Sequence, residues 1–420
     1  EIRNLIFENA SLANTGSFAG VVIGYQYGNI TLNSVDVINS SVKGRTTTDT
    51  VKDIRLGGLI GFSILNDGAK LTLKDCSVTG SEFYGYHNVG GLVGTLYDCW
   101  GDVNESYGSN GAYVPKDAWS MTGCSVTDCT FTIDGPNKNY VNAFAVDSAY
   151  VKTFDEATAA FAALSNTQTG NIFVYTRNIL VVAANTYEIQ NKAGFEEFRD
   201  AVNAGTSYQG KTVLLACDID LNNEEWTPIG KSGATFKGTF DGNGKTISNL
   251  KISGTTDNTA ANNYRGLFGT TESPATVKNF TIYNAEVSGS LYVAAAVGMP
   301  YTGQVSDITV TGLVKISAWW YTGVIGGNGY ASVKNCIVDV TEGSIVSATG
   351  SYVGCIFGFH GEGAIEISDC SSNIDVTGFS YVGGIAGICH YGNTISNCSA
   401  VCTVTKTASV ADSDQSDLYG

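Results

Sequence analysis

An all-β fold, a parallel β-helix (solenoid) in two stacks with short capping helices between them, is predicted by three features of the sequence. A glycine-framed apolar tetrad recurs along the chain, the composition favours strands, and aligned repeats expose vertical columns of like residues. The tetrad reads Gly20-Val-Val-Ile-Gly24, Gly58-Leu-Ile-Gly61, Gly91-Leu-Val-Gly94, Gly266-Leu-Phe-Gly269, Ala295-Ala-Val-Gly298, Gly323-Val-Ile-Gly326, Cys355-Ile-Phe-Gly358 and Gly384-Ile-Ala-Gly387. Its step of about 28 to 32 residues in the second half is the length of one supersecondary unit, the signature of a repeat protein. Of 420 residues, 51 are glycine and 5 proline, while Val, Ile, Thr, Tyr and Phe are abundant, as many short strands joined by tight turns require.

In the second half, units begin at Lys245-Thr-Ile-Ser-Asn-Leu, Thr276-Val-Lys-Asn-Phe, Gln304-Val-Ser-Asp-Ile, Ser332-Val-Lys-Asn-Cys, Glu366-Ile-Ser-Asp-Cys and Asn393-Thr-Ile-Ser-Asn-Cys. Each contains short runs that alternate apolar and polar residues, the period of a half-buried strand. A unit of this size cannot bury its own apolar face and must stack on its neighbours, at about 4.8 Å per layer.

Alignment gives three columns. Asn249, Asn279, Asp307, Asn335, Asp369 and Asn397 occupy a turn position, where such residues are structural far more often than catalytic. Tyr264, Tyr292, Tyr321, Tyr352 and Tyr381 place one aromatic per repeat ahead of the tetrad. They form either a packed stack, the favoured reading, or a platform for sugar rings. Cys336, Cys370 and Cys398 read as small buried hydrophobes, because parallel Cβ vectors oppose the disulfide torsion; Cys355 and Cys389 read likewise. Cys124 and Cys129 lack the further ligands of a zinc site, and a Cys99–Cys124 disulfide is open.

The first half is a looser version, opening units at Ile2-Arg-Asn-Leu, Ile30-Thr-Leu-Asn and Leu73-Lys-Asp-Cys, stretched by polar insertions. The largest insertion, with Tyr97, Trp100, Tyr107, Tyr113 and Trp119, is a candidate recognition loop, or else a lid on the stack; Trp319 and Trp320 complete the binding candidates. Between the halves the period breaks. Phe154, Ala157, Phe161 and Leu164 fall at helical spacing, as do Phe195, Phe198 and Val202 after Asn191, with strands at Asn171-Ile-Phe-Val-Tyr-Thr and Asn178-Ile-Leu-Val-Val-Ala-Ala between them. Two modules, 1–185 and 186–420, follow, the second helix covering the exposed end of the second stack.

The net charge of −16 argues against nucleic acid or an anionic membrane as partner. No signal-peptide pattern and no apolar run of membrane-spanning length is present. The chain opens inside a repeat, and it is expected to be a mature piece of a longer exported protein.

Tyr187-Glu-Ile-Gln, Phe195-Glu-Glu-Phe, Val202-Asn-Ala-Gly, Lys211-Thr-Val-Leu-Leu-Ala-Cys-Asp-Ile-Asp-Leu221, Trp226-Thr-Pro-Ile-Gly230 and the run from Phe236 to Leu250 resemble the opening module of bacterial surface proteins carrying the GLUG motif; the tetrads resemble that motif itself. The resemblance covers 187–405 closely and 1–135 loosely. It implies a right-handed parallel β-helix on an exported protein of the Bacteroidetes type, many of whose members are regarded as adhesins. Some IgA-specific metallopeptidases carry the same repeats outside their catalytic domain, but this chain has no HExxH.

Enzyme chemistry on a β-helix needs paired carboxylates. Asp218, Asp220 and Asp241 are the candidates, yet Asp218-Ile-Asp220 alternates as a strand and Asp241-Gly-Asn-Gly reads as a hairpin turn. His87, His360 and His390 read as solvated loop residues. The expectation is a monomeric binder of a host or microbial glycan or surface protein, secreted or on the outer cell surface, with no catalytic residue, metal or cofactor. The alternatives are a carbohydrate-active lyase or glycosidase, or a passive stalk for another domain.

Overall fold

A computed structural model describes all residues except 16–17, 45–54, 66–68, 87, 98–118, 139–140, 148–153, 362, 364 and 408–420. The described chain is mostly strand with little helix, its sheets are built from parallel pairs, and no sheet closes on itself. Residues Glu1–Ala184 and Asn185–Gly420 form two compact units.

In the first unit, Ile2–Glu8 pairs in parallel with Ile30–Ile38, which pairs with Leu71–Lys74, which pairs with Trp119–Thr122. Each partner lies one repeat further along the chain. Like residues therefore stack, and the column Leu32, Leu73 and Met121 is fully buried. Phe83, Phe131 and Phe173 form a second column with ring centroids 4.9 and 5.0 Å apart. The strands turn where Asn9, Asn39, Gly80, Asp128 and Gly170 all take positive φ, a conformation that Asn, Asp and Gly adopt at least cost. The helix α1 (Phe154–Ala162) sets Phe161 against Phe144 and Trp119.

The second unit opens with the strand Thr186–Ile189, followed by α2 (Lys192–Asn203). Asn191 caps it, its Oδ1 accepting from the Gly194 N–H at 2.9 Å, a bond of about 1 kcal/mol. The spacing of Phe195, Phe198 and Val202 buries one face, Phe195 stacking on Trp226 at 5.1 Å and Phe198 meeting Phe236 and Phe240. Three long strands follow, Thr239–Ile252, Thr276–Ser288 and Gln304–Ala318, paired in parallel. Later repeats break the same path into three short strands, such as Ser332–Lys334, Ile337–Val340 and Ile345–Ala348. Val277, Val305, Val333 and Ile367 stack with at most 1% exposure. Burial of each such side chain contributes about 1.5–3 kcal/mol.

At several tetrad glycines successive repeats approach so closely that a side chain does not fit. A Cβ built on Gly91 would lie 1.9 Å from the Ala143 carbonyl oxygen, inside any contact distance.

The structure corrects the alignment in three places. Gly326 faces Phe357 and Gly354 follows Val353, the partner of Thr322, so Val324–Gly327 rather than Gly323–Gly326 is the counterpart of Cys355–Gly358. The Gly326-Gly327 pair offers two closing glycines, and only packing chooses between them. Asn249 leaves the Asn279 column and stacks under Asn284, whose Nδ2 donates to Asn249 Oδ1 at 3.2 Å. Asp241-Gly-Asn-Gly is no hairpin turn; it is a bulge inside Thr239–Ile252, which pairs with Thr276–Ser288 on both sides of it. Asn243 and Gly244 absorb the extra length at positive φ.

Candidate functional site

Five tyrosines of the second unit stand out. Tyr264, Tyr292, Tyr321, Tyr352 and Tyr381 have φ of 60°, 64°, 60°, 71° and 52°. A bulky side chain in the left-handed region is a strained exception, costing about 1–2 kcal/mol. Here it recurs at one corner of five consecutive repeats, where Asn or Gly would turn the chain without strain.

The rings stack on one another, with centroids 5.2, 5.4, 4.8 and 4.8 Å apart in chain order. Tyr352 lies 7° from parallel with Tyr321 and 5° from parallel with Tyr381. Rings in this arrangement spend their faces on each other. The column therefore offers a ligand ring edges and phenolic oxygens, and a row of free faces for sugars to stack on is absent from it. All five residues are half-buried. Burial, reinforced by Tyr352 and Tyr292, pushes the Tyr321 phenol up to about 12, and burial also raises Tyr292, so these hydroxyls keep their protons at neutral pH.

Trp319 and Trp320 stand beside this column. Their rings are 5.5 Å apart, and Trp320 lies 5.9 Å from Tyr321 and 5.5 Å from Tyr352. Phe359 meets Tyr321 and Tyr352 edge to face, and His390 lies 5.4 Å from Phe359. Phe359 carries no repeat signal, since its stacked neighbours are Asn328 and Ile388, and sequence reasoning passes over it.

The other candidates fall elsewhere. Trp100, Tyr107 and Tyr113 lie outside the described residues, as does Cys99. Tyr97 ends the strand Val93–Tyr97, and its side chain is also outside the description. Trp119 opens the strand Trp119–Thr122 and packs 5.2 Å from Phe161 against the core of the first unit.

The carboxylates act as hydrogen-bond acceptors for the fold. Asp218 accepts from the Thr246 N–H, Asp220 from the Asn222 N–H and Asn249 Nδ2, and Asp241 from the Asn243 N–H and Asn279 Nδ2, each at 2.8 or 2.9 Å. The hydrogen bond from Asn249 holds the Asp220 carboxyl below its usual range. Higher in the stack, Asn335 donates to Asp307 and Asn397 to Asp369, so amide and carboxylate alternate. Asn335 likewise depresses Asp307.

His360 corrects a further expectation. It is fully buried, not solvated. Its Nε2 is 3.1 Å from the Ala331 carbonyl oxygen and its Nδ1 is 3.3 Å from Asn393 Nδ2. Nε2 therefore carries the proton and donates, while Nδ1 accepts from the amide. Burial lowers its pKa. His87 lies outside the described residues. Cys336 and Cys370 are buried thiols and Cys398 is half-buried. Among the described residues no group of three or more His, Cys, Asp or Glu is placed to hold a metal ion, and no helix is long and apolar enough to cross a membrane.

No family model matches the chain, so the GLUG resemblance rests on the quoted residues. Halomucin of Haloquadratum walsbyi is 33% identical over 143 residues, a match covering 32% of this chain and 2% of halomucin's length. A crystal structure from Bacteroides ovatus, provisionally described as an immunoglobulin A1 protease, aligns with 53% of this chain and 79% of its own at 20% identity and a TM-score of 0.39, too slight a likeness to carry an argument.

Proposed function

We propose that this chain belongs to an exported surface protein, built of two right-handed parallel β-helix modules at 1–185 and 186–420, that binds a host or microbial glycan or surface protein. Parallel pairing at one-repeat intervals in both units supports the helical winding, and the GLUG resemblance supports its hand. That resemblance and the stretch shared with halomucin support the location.

One observation carries the binding reading: a strained tyrosine column, flanked by Trp319 and Trp320, in a position that folding alone would give to Asn or Gly. Trp320 supplies an aromatic surface and the column supplies polar phenolic groups at the spacing of the repeats, a combination suited to an extended, hydroxyl-rich chain lying along the stack. Glycan is accordingly the first ligand class to test. The protein works as a monomer, without metal or cofactor.

A glycan-array screen of the full chain, paired with a polysaccharide-degradation assay, tests this. Binding is expected, with Trp320→Ala weakening it at least tenfold and Tyr321→Phe weakening it less. Release of product would replace the binder with an enzyme. Absence of glycan binding would turn the search to a protein ligand or leave a stalk.

A further inference from the structure

We propose that Cys355 and Cys402 are the two halves of a disulfide that staples the last described repeat to the core of the second unit. Their Sγ atoms are 3.5 Å apart. This pair differs in geometry from the column Cys336, Cys370 and Cys398. Those three occupy equivalent positions in successive repeats, and each thiol donates back to its own turn, to the carbonyls of Lys334, Ser368 and Ser396. Side chains leaving a column in parallel do not suit the disulfide torsion. Cys355 and Cys402 come from different columns: Cys355 lies in the tetrad after Val353–Gly354, and Cys402 follows Ser399–Ala400, which pairs with Ser371–Ser372. Their sulfurs meet inside the unit.

Cys402 packs beside a glycine in the next layer. Gly383 pairs with Gly354, which stacks Gly384 on Cys355, and a Cβ on Gly384 would lie 3.6 Å from Cys402 Sγ. Cys402 Sγ thus packs directly over the layer that follows Cys355. Cys355 is fully buried and donates to the Ile374 carbonyl at 3.1 Å, whereas Cys402 is half-exposed and open to a small reagent.

The oxidant is a small disulfide such as oxidised glutathione. The Cys402 thiolate attacks one of its sulfurs, forming a mixed disulfide and releasing one glutathione thiolate. The Cys355 thiolate then attacks the Cys402 sulfur and releases the second. One protein S–S bond forms, one glutathione S–S bond breaks, and two protons leave the protein thiols. The bond would tether the strand Val404–Lys406, which follows Cys402 and pairs with Asp375–Gly378. Whether the bond forms depends on this geometry alone; only its presence in the cell rests on the exported location proposed above.

The test is the full chain incubated with oxidised glutathione, then denatured and alkylated, with free thiols counted by intact mass. Beyond any thiol that carries added glutathione, as at the exposed Cys389, wild type and Cys398→Ser are expected to lose two alkylatable thiols and Cys402→Ser none. Chymotryptic mapping should join the peptides holding residues 355 and 402. Oxidation should raise the Tm by roughly 5–10 °C in wild type and leave Cys402→Ser unchanged. No thiol loss in wild type, or the same loss in Cys402→Ser, overturns the pairing. Formation in vitro with reduced thiols in protein taken from its native cells would count against the exported location and leave the pairing intact.

Discussion

The corner ahead of the tetrad is built differently in the two units. Among the described residues of the first it holds Phe18, Arg55 and Asn88, and of these only Asn88 has positive φ; the corner before Val141 lies outside the described residues. Arg55 is buried there, its guanidinium 4.1 Å from the Phe62 ring centroid and 5.3 Å from that of Phe18. In the second unit the same corner is tyrosine five times, left-handed each time. The first unit demonstrates that the fold accepts varied residues at this place and gives the left-handed turn to Asn. Tyrosine in the second is therefore no requirement of the chain path at the described corners, and its strain is offset by a ring column that Phe18, Arg55 and Asn88 do not form.

Substitution at the corner should break this contrast most sharply. Tyr352→Ala removes stacking on Tyr321 and Tyr381 and is expected to cost about 2–3 kcal/mol in denaturant unfolding. Tyr352→Gly should be about 1 kcal/mol less damaging than the alanine variant, because glycine accepts positive φ freely. Equal losses from Gly and Ala would mean that no strain is held there.

A smaller effect concerns pH. His360 is lowered when folded, so the unfolded chain binds the extra proton more readily, and stability rises with pH across this range. The contribution is complete above the unfolded value of about 6.5 and is lost as pH falls below it, by up to about 1.4 kcal/mol per pH unit. His360→Asn should flatten that slope in the second unit. An unchanged slope would assign the pH dependence to other groups.

The smallest effect should be alike in both units. The buried hydroxyls of Thr95 and Thr322 have no hydrogen-bond partner. Thr322 stands in a column with Val293 and Val353, and Thr95 faces Phe62. Thr95→Val and Thr322→Val should each stabilise by ~1 kcal/mol, measured by the same unfolding curves. A gain in one unit alone would show that their difference reaches beyond the corner.

Features that repeat in sequence were legible, because stacking turns a period into a column. The tyrosines, the Asn279-to-Asn397 series and Cys336 with Cys370 were visible this way, and the Phe195, Phe198 and Val202 spacing marked α2. Features set by a single repeat were hidden. The doublet Gly326-Gly327 leaves its frame open, the bulge at Asn243 has the composition of a turn, and the separate column of Asn249 depends on that bulge shifting the register. His360 looks like a loop residue until Asn393 and Ala331 are brought around it. The aromatic site is half legible: Trp319 and Trp320 are candidates by residue type, while Phe359 reaches the site through packing alone.

The alternation of Asn and Asp also bears on how such a stack grows. Asp307 and Asp369 are separated by Asn335, so their carboxylates stand two layers apart, about 9.6 Å at ordinary strand spacing. That is close to one Debye length at physiological ionic strength, about 8 Å. Salt thus screens much of the repulsion along the column, whereas carboxylates in every layer would sit well inside the screening distance. Repeats can therefore be added to such a column with little accumulating electrostatic penalty.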